Sequence, residues 1–244
     1  MAINKNGLVV WRGASEIDGA PIVMIVTGLT SKSQNSKTGA MMQTWILRED
    51  VDPVEAMRRN FDVSICGDCP LRGNQVDGKR VGRACYVNVG QAPRSVWYAF
   101  NRGSYREATP QEAAELINGR AVRLGSYGDP SLVPFEVLDA LASGSKMRTG
   151  YTHQWRSKDP RYASLLMASA DTVEDRRDAR LAGWRSFYVI PKGAAKPAGA
   201  VECASTRDLN KRDCDTCGMC SGVKGDKVAT DVFIAAHGAG AKFV

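Results

Sequence analysis

The stretch that decides the fold is Ala121-Val-Arg-Leu-Gly-Ser-Tyr-Gly-Asp129, together with the segment that follows it to Ile190. Residues 121–124 predict a strand that ends in a glycine-rich turn, and Pro130 begins a predicted helix that Gly144 ends. Further strands are predicted over residues 146–153, 165–168 and 185–190, with a helix from a capping-box pattern at 171–174 to Gly183. Strands that alternate with helices of this length predict βαβ units and a parallel sheet.

The segments before and after this α/β part have a different predicted structure. The first fifty residues predict three β-rich strands, at Leu8–Trp11, Pro21–Thr27 and Met41–Leu47, with a polar hairpin loop over 30–39. Residues 192–200 form a low-complexity linker, and a last strand is predicted over 228–235. We therefore expect three parts: a β-rich segment at 1–60, an α/β part at 61–191, and a linker with a cysteine cluster and last strand at 192–244.

Composition narrows the class of protein. The chain has 244 residues, of which 43% are hydrophobic, so it is long enough to bury a core. No stretch approaches the roughly 20 apolar residues of a membrane span, and the first residues lack a secretory signal pattern, so we expect a cytoplasmic protein without membrane contact. The net charge of +7 favours an anionic partner such as nucleic acid, or serves solubility alone.

All seven cysteines fall into two groups with metal-ligand spacing. The first cysteine group is Cys66-Gly-Asp-Cys69 with Cys85. The second cysteine group is Cys203 with Cys214-Asp-Thr-Cys217-Gly-Met-Cys220. Thiolates select zinc or iron–sulfur clusters, so the spacing predicts one or two metal centres.

The two groups differ in the number of ligands they offer. Four thiolates suit a structural zinc ion or a 4Fe–4S cluster equally well, and His237 is an alternative ligand near the second group. Three thiolates leave one position open, which is typical of a reactive site. The other interpretation of the first group is a structural zinc site that Asp68, Asp77 or a histidine completes.

Polar residues follow three successive predicted strands. They are Gly125–Asp129, Tyr151–His153 and Met167–Asp171. Ligands bind at the carboxyl ends of strands in α/β folds, so we expect a site there, although each residue alone fits a helix cap or turn. Asp129 would accept hydrogen bonds from a ligand, and His153 is either a proton carrier, a substrate ligand or a structural residue. The sequence has none of the motifs of triphosphatases or of common hydrolases.

In this combination the motifs resemble radical S-adenosylmethionine (SAM) enzymes, and most of all the small radical SAM-like proteins that tailed phages encode. The resembling elements cover roughly residues 60 to 237. They are Cys85-Tyr86, Val122–Asp129, Tyr151-Thr-His153, Ala168-Ser-Ala-Asp171, Gly183-Trp-Arg185 and the second cysteine group. The first group has the spacing Cys66-x-x-Cys69-x15-Cys85, where the family usually has Cys-x-x-x-Cys-x-x-Cys.

The resemblance implies an α/β fold with a partial (β/α) barrel of radical SAM type. It implies that Cys66, Cys69 and Cys85 hold a 4Fe–4S cluster, and that SAM binds beside it. Residues implied to lie near SAM are Gly125, Ser126, Tyr127, Gly128, Asp129 and Ser169. Cys203, Cys214, Cys217 and Cys220 would hold a second iron–sulfur cluster or zinc, and Asp129 and His153 are the candidate catalytic residues.

The activity that the resemblance implies is a radical SAM isomerisation on phage DNA. The substrate would be a modified thymidine whose attached amino acid moves from a nitrogen to an α-carbon linkage, a DNA hypermodification that evades host restriction. Hydrogen abstraction from an unactivated carbon needs radical chemistry, which a cofactor supplies. DNA and a reductant protein are the implied partners, in the host bacterial cytoplasm.

Two other functions fit parts of the sequence. A base-exchange enzyme like the guanine transglycosylases would place zinc on Cys214, Cys217, Cys220 and His237, with Asp129 as the nucleophile. A non-enzymatic zinc protein would bind DNA through its basic loops. The transglycosylase-like enzyme explains the second cysteine group but not the first. The DNA-binding zinc protein gives no reason for polar residues at successive strand ends.

Overall fold

The computed structural model describes residues 5–33, 35–206, 212–224, 230–238 and 240–244. The strands are β1 Gly7–Ala14, β2 Pro21–Thr27, β3 Met42–Arg48, β4 Asn74–Val76, β5 Lys79–Val81, β6 Arg106–Glu107, β7 Val122–Tyr127, β8 Arg148–Thr152, β9 Met167–Ala170, β10 Ser186–Ile190, β11 Ala200–Glu202 and β12 Asp231–Ala235. The α-helices within these ranges are α1 Pro53–Arg58, α2 Val63–Cys66, α3 Ala92–Asn101, α4 Pro110–Ile117, α5 Phe135–Ser143, α6 Val173–Leu181 and α7 Cys214–Cys217.

Ten of the strands form one sheet in the order β11-β12-β10-β9-β8-β7-β3-β2-β1-β6. The pairs from β3 to β11 are all parallel, and β1, β2 and β3 are antiparallel neighbours. The predicted α/β class with a parallel sheet is confirmed, and the three β-rich strands of the N-terminal segment extend the same sheet. The short hairpin of β4 and β5 stands apart from it.

The two faces of the parallel strands differ because side chains alternate along a strand. Val122 and Leu124 of β7 are fully buried in the main core, which they share with Leu138 of α5 and Ala179 of α6. Arg123, between the two β7 residues, instead lines a large cavity on the other face. Among the helices of the described ranges, none combines the length and apolarity that a membrane crossing needs.

Several predicted boundaries were wrong, and proline explains the largest error. The helix predicted from Pro130 consists of a 3-10 turn at Pro130–Leu132 and then α5, which starts at Phe135. Pro134 disfavours helical backbone in the residue before it, and Val133 is accordingly extended, with φ −100° and ψ 141°. The chain therefore breaks and restarts between the two pieces.

The remaining errors are shifts of a few residues. The capping box of α6 uses Thr172 and Asp175, one position later than predicted. β9 begins at Met167 rather than at residue 165, because a 3-10 turn occupies the chain up to Ser164. β12 begins at Asp231; residues 228 and 229 of the predicted strand lie outside the described residues.

Candidate active-site cavity and its two cysteine groups

The first cysteine group lies against the carboxyl ends of β7 and β8. The Asp129 backbone N–H donates to the carbonyl oxygen of Ile65, one residue before Cys66, at 2.6 Å. The Gln154 side-chain amide donates to Asp68 Oδ1 at 2.6 Å and to the Cys66 carbonyl oxygen at 3.4 Å. These contacts fix the segment with Cys66 and Cys69 over the ends of two adjacent parallel strands.

Arginine side chains hold the rest of this loop in place. Asp62 Oδ1 lies 2.7 Å from both Arg72 Nη2 and Arg80 Nη2, and all three side chains are largely buried. Arg83 donates to the carbonyl oxygens of Cys85 and Val87, each at 2.7 Å. These three arginines of the loop therefore bind groups within the protein rather than extending into solvent.

Asp129 is a fully satisfied carboxylate. The Ser131 N–H and hydroxyl donate to Oδ1, and the Thr152 hydroxyl and the His153 N–H donate to Oδ2, all at 2.9–3.0 Å. Burial raises the pKa of Asp129, and the hydrogen bonds from Ser131, His153 and Thr152 oppose that rise. Since each oxygen already accepts two hydrogen bonds, this arrangement suits a residue that holds β7 and β8 together.

The His153 imidazole connects the first cysteine group with the end of β9. Its Nε2 lies 3.9 Å from Cys69 Sγ and 3.2 Å from Asp171 Oδ2. Burial alone would lower the pKa of His153, but the hydrogen bonds and negative charges of Asp171 and Cys69 raise it well above its usual value. Both partners use the same ring nitrogen, so this is not the arrangement of a cysteine–histidine–aspartate triad, which uses both nitrogens.

Cys66 and Cys85 are partly buried near a hydroxyl that has no hydrogen-bond partner among the described residues. Burial, and then the negative charge of Cys69, raises the pKa of the Cys66 thiol, and burial raises that of Cys85. Burial, followed by the charges of Cys66, Asp62 and Cys85, also raises the pKa of Tyr127. The Tyr127 hydroxyl is buried without a hydrogen-bond partner in the described part of the chain.

The donors of the first group fit an iron–sulfur cluster. Three thiols lie within electrostatic range of one another, and the Tyr127 hydroxyl can donate to a cluster sulfur, since hydrogen bonds to sulfur are a normal part of such sites. The side chains as they stand are not preorganised: within the described ranges, no three or more His, Cys, Asp or Glu side chains are arranged to hold a metal ion.

The second cysteine group encloses a small cavity of its own. All four cysteines line a space of about 20 Å³, which also contacts Tyr151 and Val232. A space of this size matches roughly one water-sized sphere. The donors therefore fit a single metal ion, such as zinc on four thiolates, better than a four-iron cluster.

The second group is attached to the inner face of the sheet. Cys220 packs with Met167 of β9 and Val232 of β12, near the amino ends of these strands. The Cys203 N–H donates to the Phe233 carbonyl oxygen at 2.8 Å, and the Cys214 N–H donates to the Lys37 carbonyl oxygen at 2.8 Å. Burial is the main cause that raises the pKa of the Cys220 thiol to about 12.

A cavity of about 680 Å³ lies between the two cysteine groups. Ala84 and Tyr86, on either side of Cys85, line it, and so do Cys203 and Cys214 of the second group. Strands β3, β7, β8, β10 and β12 contribute the wall residues Gln43, Trp45, Arg123, Ser126, Tyr151, Phe187, Val189 and Ile234. The volume lies in the range of small-molecule and cofactor sites.

The predicted SAM-binding residues are distributed unevenly around this cavity. Ser126 lines it and donates to Gln43 Oε1 at 2.5 Å. Gly125 and Gly128 adopt positive φ angles of 74° and 80°, and a Cβ on Gly128 would lie 2.6 Å from the Ile46 carbonyl oxygen. Ser169 accepts, through its carbonyl oxygen, a hydrogen bond of 3.1 Å from the Trp155 indole. The two glycines thus serve close backbone packing.

His237 lies apart from the sulfur atoms in this structure. Its Nε2 contacts Lys37 Nζ, and its ring stacks on Tyr86 with 5.9 Å between centroids. His237 lines the same cavity as Cys203 and Cys214, and within the described residues neither the set with Cys203 nor the set with His237 that a transglycosylase-like site needs is arranged to hold a metal ion. Asp129, the nucleophile of that alternative, lies at the first cysteine group.

Sequence reasoning found the cations of the cavity only in part. The basic, hydroxyl-rich loop with Lys37 is interpreted from the sequence as either a phosphate contact or a solvated hairpin loop, and Arg123, which lies inside a strand, was missed. The alternation of Val122, Arg123 and Leu124 was the available signal, because it places a charged residue on the face opposite the core. Comparisons with protein-family models, curated proteins and solved structures found no match to this chain.

Proposed function

We propose that this chain is a radical SAM enzyme whose first cysteine group holds the catalytic 4Fe–4S cluster. The observation that carries the proposal is the position of this group over the carboxyl ends of consecutive parallel strands. The residues on either side of Cys85, Ala84 and Tyr86, also line a cavity large enough for a substrate. The parallel strands β7, β8, β9 and β10 neighbour one another in chain order, which supports a partial (β/α) barrel as part of this proposal.

In this proposal Cys66, Cys69 and Cys85 would hold the cluster, which together with SAM would supply radical hydrogen-abstraction chemistry when bound. The chain's own residues position the reactants: Asp129 and Gln154 fix the cluster loop on the strands, and His153 holds a proton beside Cys69.

The proposed reaction is an isomerisation of modified thymidine in phage DNA, with an amino acid moved from a nitrogen to an α-carbon linkage. The net charge of +7 and the resemblance to phage-encoded proteins support DNA as the substrate. Base chemistry in a duplex requires that the nucleotide be flipped out, and a cavity of about 680 Å³ has room for one nucleotide. A reductant protein would supply the electron.

The test is anaerobic reconstitution with iron and sulfide, followed by mass spectrometry for 5′-deoxyadenosine released from SAM. We expect wild type to take up iron and sulfide in equal amounts and to cleave SAM, and Cys69→Ala to lose SAM cleavage. Asp139→Asn, on the exposed side of α5, is the control, because it leaves both cysteine groups unchanged and should leave cleavage intact. A wild-type protein that takes up zinc alone, or a Cys69→Ala variant that still cleaves SAM, contradicts the proposal.

The substrate is tested separately. Nucleosides from phage DNA treated with the reconstituted enzyme are separated and weighed by mass spectrometry, together with fragmentation that locates the amino-acid linkage. We expect product of unchanged mass with a new carbon linkage. SAM cleavage without any change in the DNA would retain the radical enzyme and reject this substrate.

One observation favours a second candidate, a zinc protein that binds DNA without catalysis. His153 Nε2 lies 3.9 Å from Cys69 Sγ, close to the separation of two ligands on one zinc ion with bonds of about 2.0–2.3 Å. His153 would then complete a site with Cys66, Cys69 and Cys85. His153→Gln separates the candidates: it should abolish metal binding at a zinc site of this kind, whereas the iron–sulfur proposal predicts retained iron.

A further inference from the structure

The cavity between the cysteine groups contains two cations close together. Lys37 and Arg123 both line it, and both side chains are half-buried. Burial, and to a smaller extent the positive charge of Arg123, lowers the pKa of Lys37. The two residues come from distant parts of the sequence, and the packing of loop 35–39 on α7 brings them to the same cavity.

Neither cation has an acidic partner in the described part of the chain. Arg123 Nη2 makes a long hydrogen bond of 3.4 Å to the Tyr86 hydroxyl, and its guanidinium lies 5.5 Å from the Tyr151 ring centroid. Lys37 contacts His237 and lies 5.8 Å from the Tyr86 ring centroid. Most other partly buried arginines here, such as Arg72 and Arg176, pair with a carboxylate.

The cavity wall supplies no carboxylate side chain either. Among the described residues that line it, none is Asp or Glu. The negative groups near the two cations are the thiols Cys203 and Cys214 rather than carboxylates. Two half-buried cations that share a cavity of about 680 Å³ with no carboxylate among its described lining residues favour an anion there. Arginine and lysine are also the residues that proteins use for phosphate.

The remaining walls match a nucleotide rather than a simple anion. Aromatic rings of Trp45, Tyr86, Tyr151 and Phe187 line the cavity, and bases stack on such rings. The side-chain amides of Asn88 and Gln91 also line the cavity and can pair with the hydrogen-bonding edge of a base, whereas the Gln43 amide already bonds Met41 and Ser126. A nucleotide with its phosphate at the cations and its base along the rings would contact the cations, the aromatic rings and the amides.

We infer that this cavity binds a nucleoside monophosphate unit, with the phosphate between Arg123 and Lys37 and the base against the aromatic walls. The inference rests on the proposed function only for the choice of thymine as the base. It also assigns the phosphate to the side of the cavity where the second cysteine group lies, since Cys203 and Cys214 border Lys37 and Arg123.

Calorimetric titration of the wild-type protein with thymidine 5′-monophosphate tests the inference. Thymidine and inorganic phosphate are titrated in parallel, because each contains one half of the nucleotide. Neither SAM nor reductant is added, so the result does not depend on catalysis. We expect the monophosphate to bind at least tenfold more tightly than thymidine or phosphate alone, which corresponds to about 1.4 kcal/mol or more.

Matched variants assign the binding to the two cations. Lys37→Met and Arg123→Lys should each weaken binding of the monophosphate by about tenfold, the usual scale for loss of a charge-assisted hydrogen bond, and leave thymidine unaffected. Lys79→Met, on the exposed β4–β5 hairpin, and Arg148→Lys, on the neighbouring strand β8, should change neither. Thermal unfolding of each variant identifies any that fails to fold, and Lys37→Met alone then decides.

Three results would overturn the inference. Equal affinity for thymidine and its monophosphate would show that no phosphate site exists. Binding of inorganic phosphate as tight as that of the nucleotide would show that the cavity binds an anion without recognising the base. Displacement of the monophosphate by SAM would assign the cavity to the cofactor. Nucleotide binding in a protein that never cleaves SAM would keep the inference and reject only the proposed enzyme.

Discussion

The first cysteine group is held at the carboxyl ends of β7 and β8 by polar contacts, although Cys66 also packs on the main core. In the second group, Cys220 and Cys203 pack with apolar side chains near the amino ends of β9 and β12. Cys66 and Cys69 depend on hydrogen bonds from Gln154 and on the Asp129 backbone. Cys220 lies in a small hydrophobic cluster. A polar, adjustable attachment suits a site that exchanges ligands, and a closed apolar one suits a permanent metal ion.

The largest expected effect concerns stability at the second group. If this group holds the metal ion that we propose, Cys220→Ser should lower the unfolding free energy by about 3 kcal/mol or more, because it would remove a ligand and leave a hydroxyl in apolar surroundings. Cys69→Ser, the matched change at the first group, should cost less than about 1 kcal/mol. Denaturant unfolding with metal analysis measures both, and a chelator should bring wild type close to Cys220→Ser. Equal losses of unfolding free energy in Cys220→Ser and Cys69→Ser would contradict the proposed difference between the two cysteine groups.

The next effect concerns the anchor of the first group. Asp129→Asn replaces an oxygen that accepts two hydrogen bonds by a donor, so at least one of the four donors loses its partner in a buried site. We expect a loss of about 2–3 kcal/mol in unfolding free energy. Asp139→Asn, on the exposed side of α5, is the control and should change stability by less than about 0.5 kcal/mol. An Asp129→Asn protein as stable as this control would show that the carboxylate is not an anchor.

The next prediction compares the cost of replacing one glycine beside each cysteine group. Gly67 has φ 57° and ψ −135°, which only glycine adopts readily, whereas Gly218 has φ 65° and ψ 8°, which asparagine tolerates. Gly67→Asn should cost about 2 kcal/mol and disturb Gln154, whose amide lies 2.3 Å from the position of a new Cβ. A Cβ on Gly218 would also be too close to a side chain, that of Met147, which is flexible and can move. Gly218→Asn should therefore cost about 1 kcal/mol, less than Gly67→Asn, and the difference comes from the backbone conformation. Thermal unfolding of both variants measures the difference, and the reverse order would contradict the assigned backbone conformations.

The smallest expected effect is a pH dependence of stability at Asp52, which caps α1, the helix that contacts the loop of the first cysteine group. Arg80 donates to the Met57 carbonyl oxygen of α1, and Asp52 caps that helix and pairs with Arg94. Burial opposes the shift, but the hydrogen bonds from Arg94 and from the helix N–H groups lower the pKa of Asp52. A lowered carboxyl pKa stabilises the protein above the unfolded-state value of about 3.9, and this contribution is lost as the pH falls through the lower folded-state value.

Asp52→Asn should therefore be less stable than wild type by up to about 1 kcal/mol at neutral pH, and the difference should disappear in acid. Because Asn also caps helices, the variant removes mainly the charge. Unfolding midpoints between about pH 7 and 3 measure the trend. A difference that grows on acidification would have the wrong sign for a carboxylate with a lowered pKa.

Local patterns predicted much of the secondary structure for identifiable reasons. Thr109 and Glu112 form the predicted capping box of α4, because both hydrogen bonds join residues three positions apart. The helix predicted from Pro130 failed at Pro134, where a local rule on the residue before proline outweighed the apolar periodicity. The convergence of Asp129 and His153 followed from parallel strands whose carboxyl ends share one edge of the sheet.

The contacts around the cavity had no comparable local signal. Lys37 is separated by 200 positions from His237, which it contacts, and by more than 80 from Arg123. Nothing in the polar loop 30–39 indicates that it packs on α7, because that contact depends on where β3 and β12 lie in the finished sheet. The role of Arg83 in binding backbone carbonyls was equally hidden, since a basic residue in a glycine-rich loop has the same pattern when it faces solvent.

The sequence by itself determined the parallel α/β sheet, the two cysteine groups with their ligand numbers, and the polar residues at the strand ends. These depend on periodicity and spacing, which act over a few residues. The tertiary structure decided that the groups lie on opposite sides of one cavity, that Asp129 is a satisfied anchor, and that Lys37 and Arg123 share a site without acidic partners in the described chain. These depend on strand order and burial, which arise only when distant segments pack together.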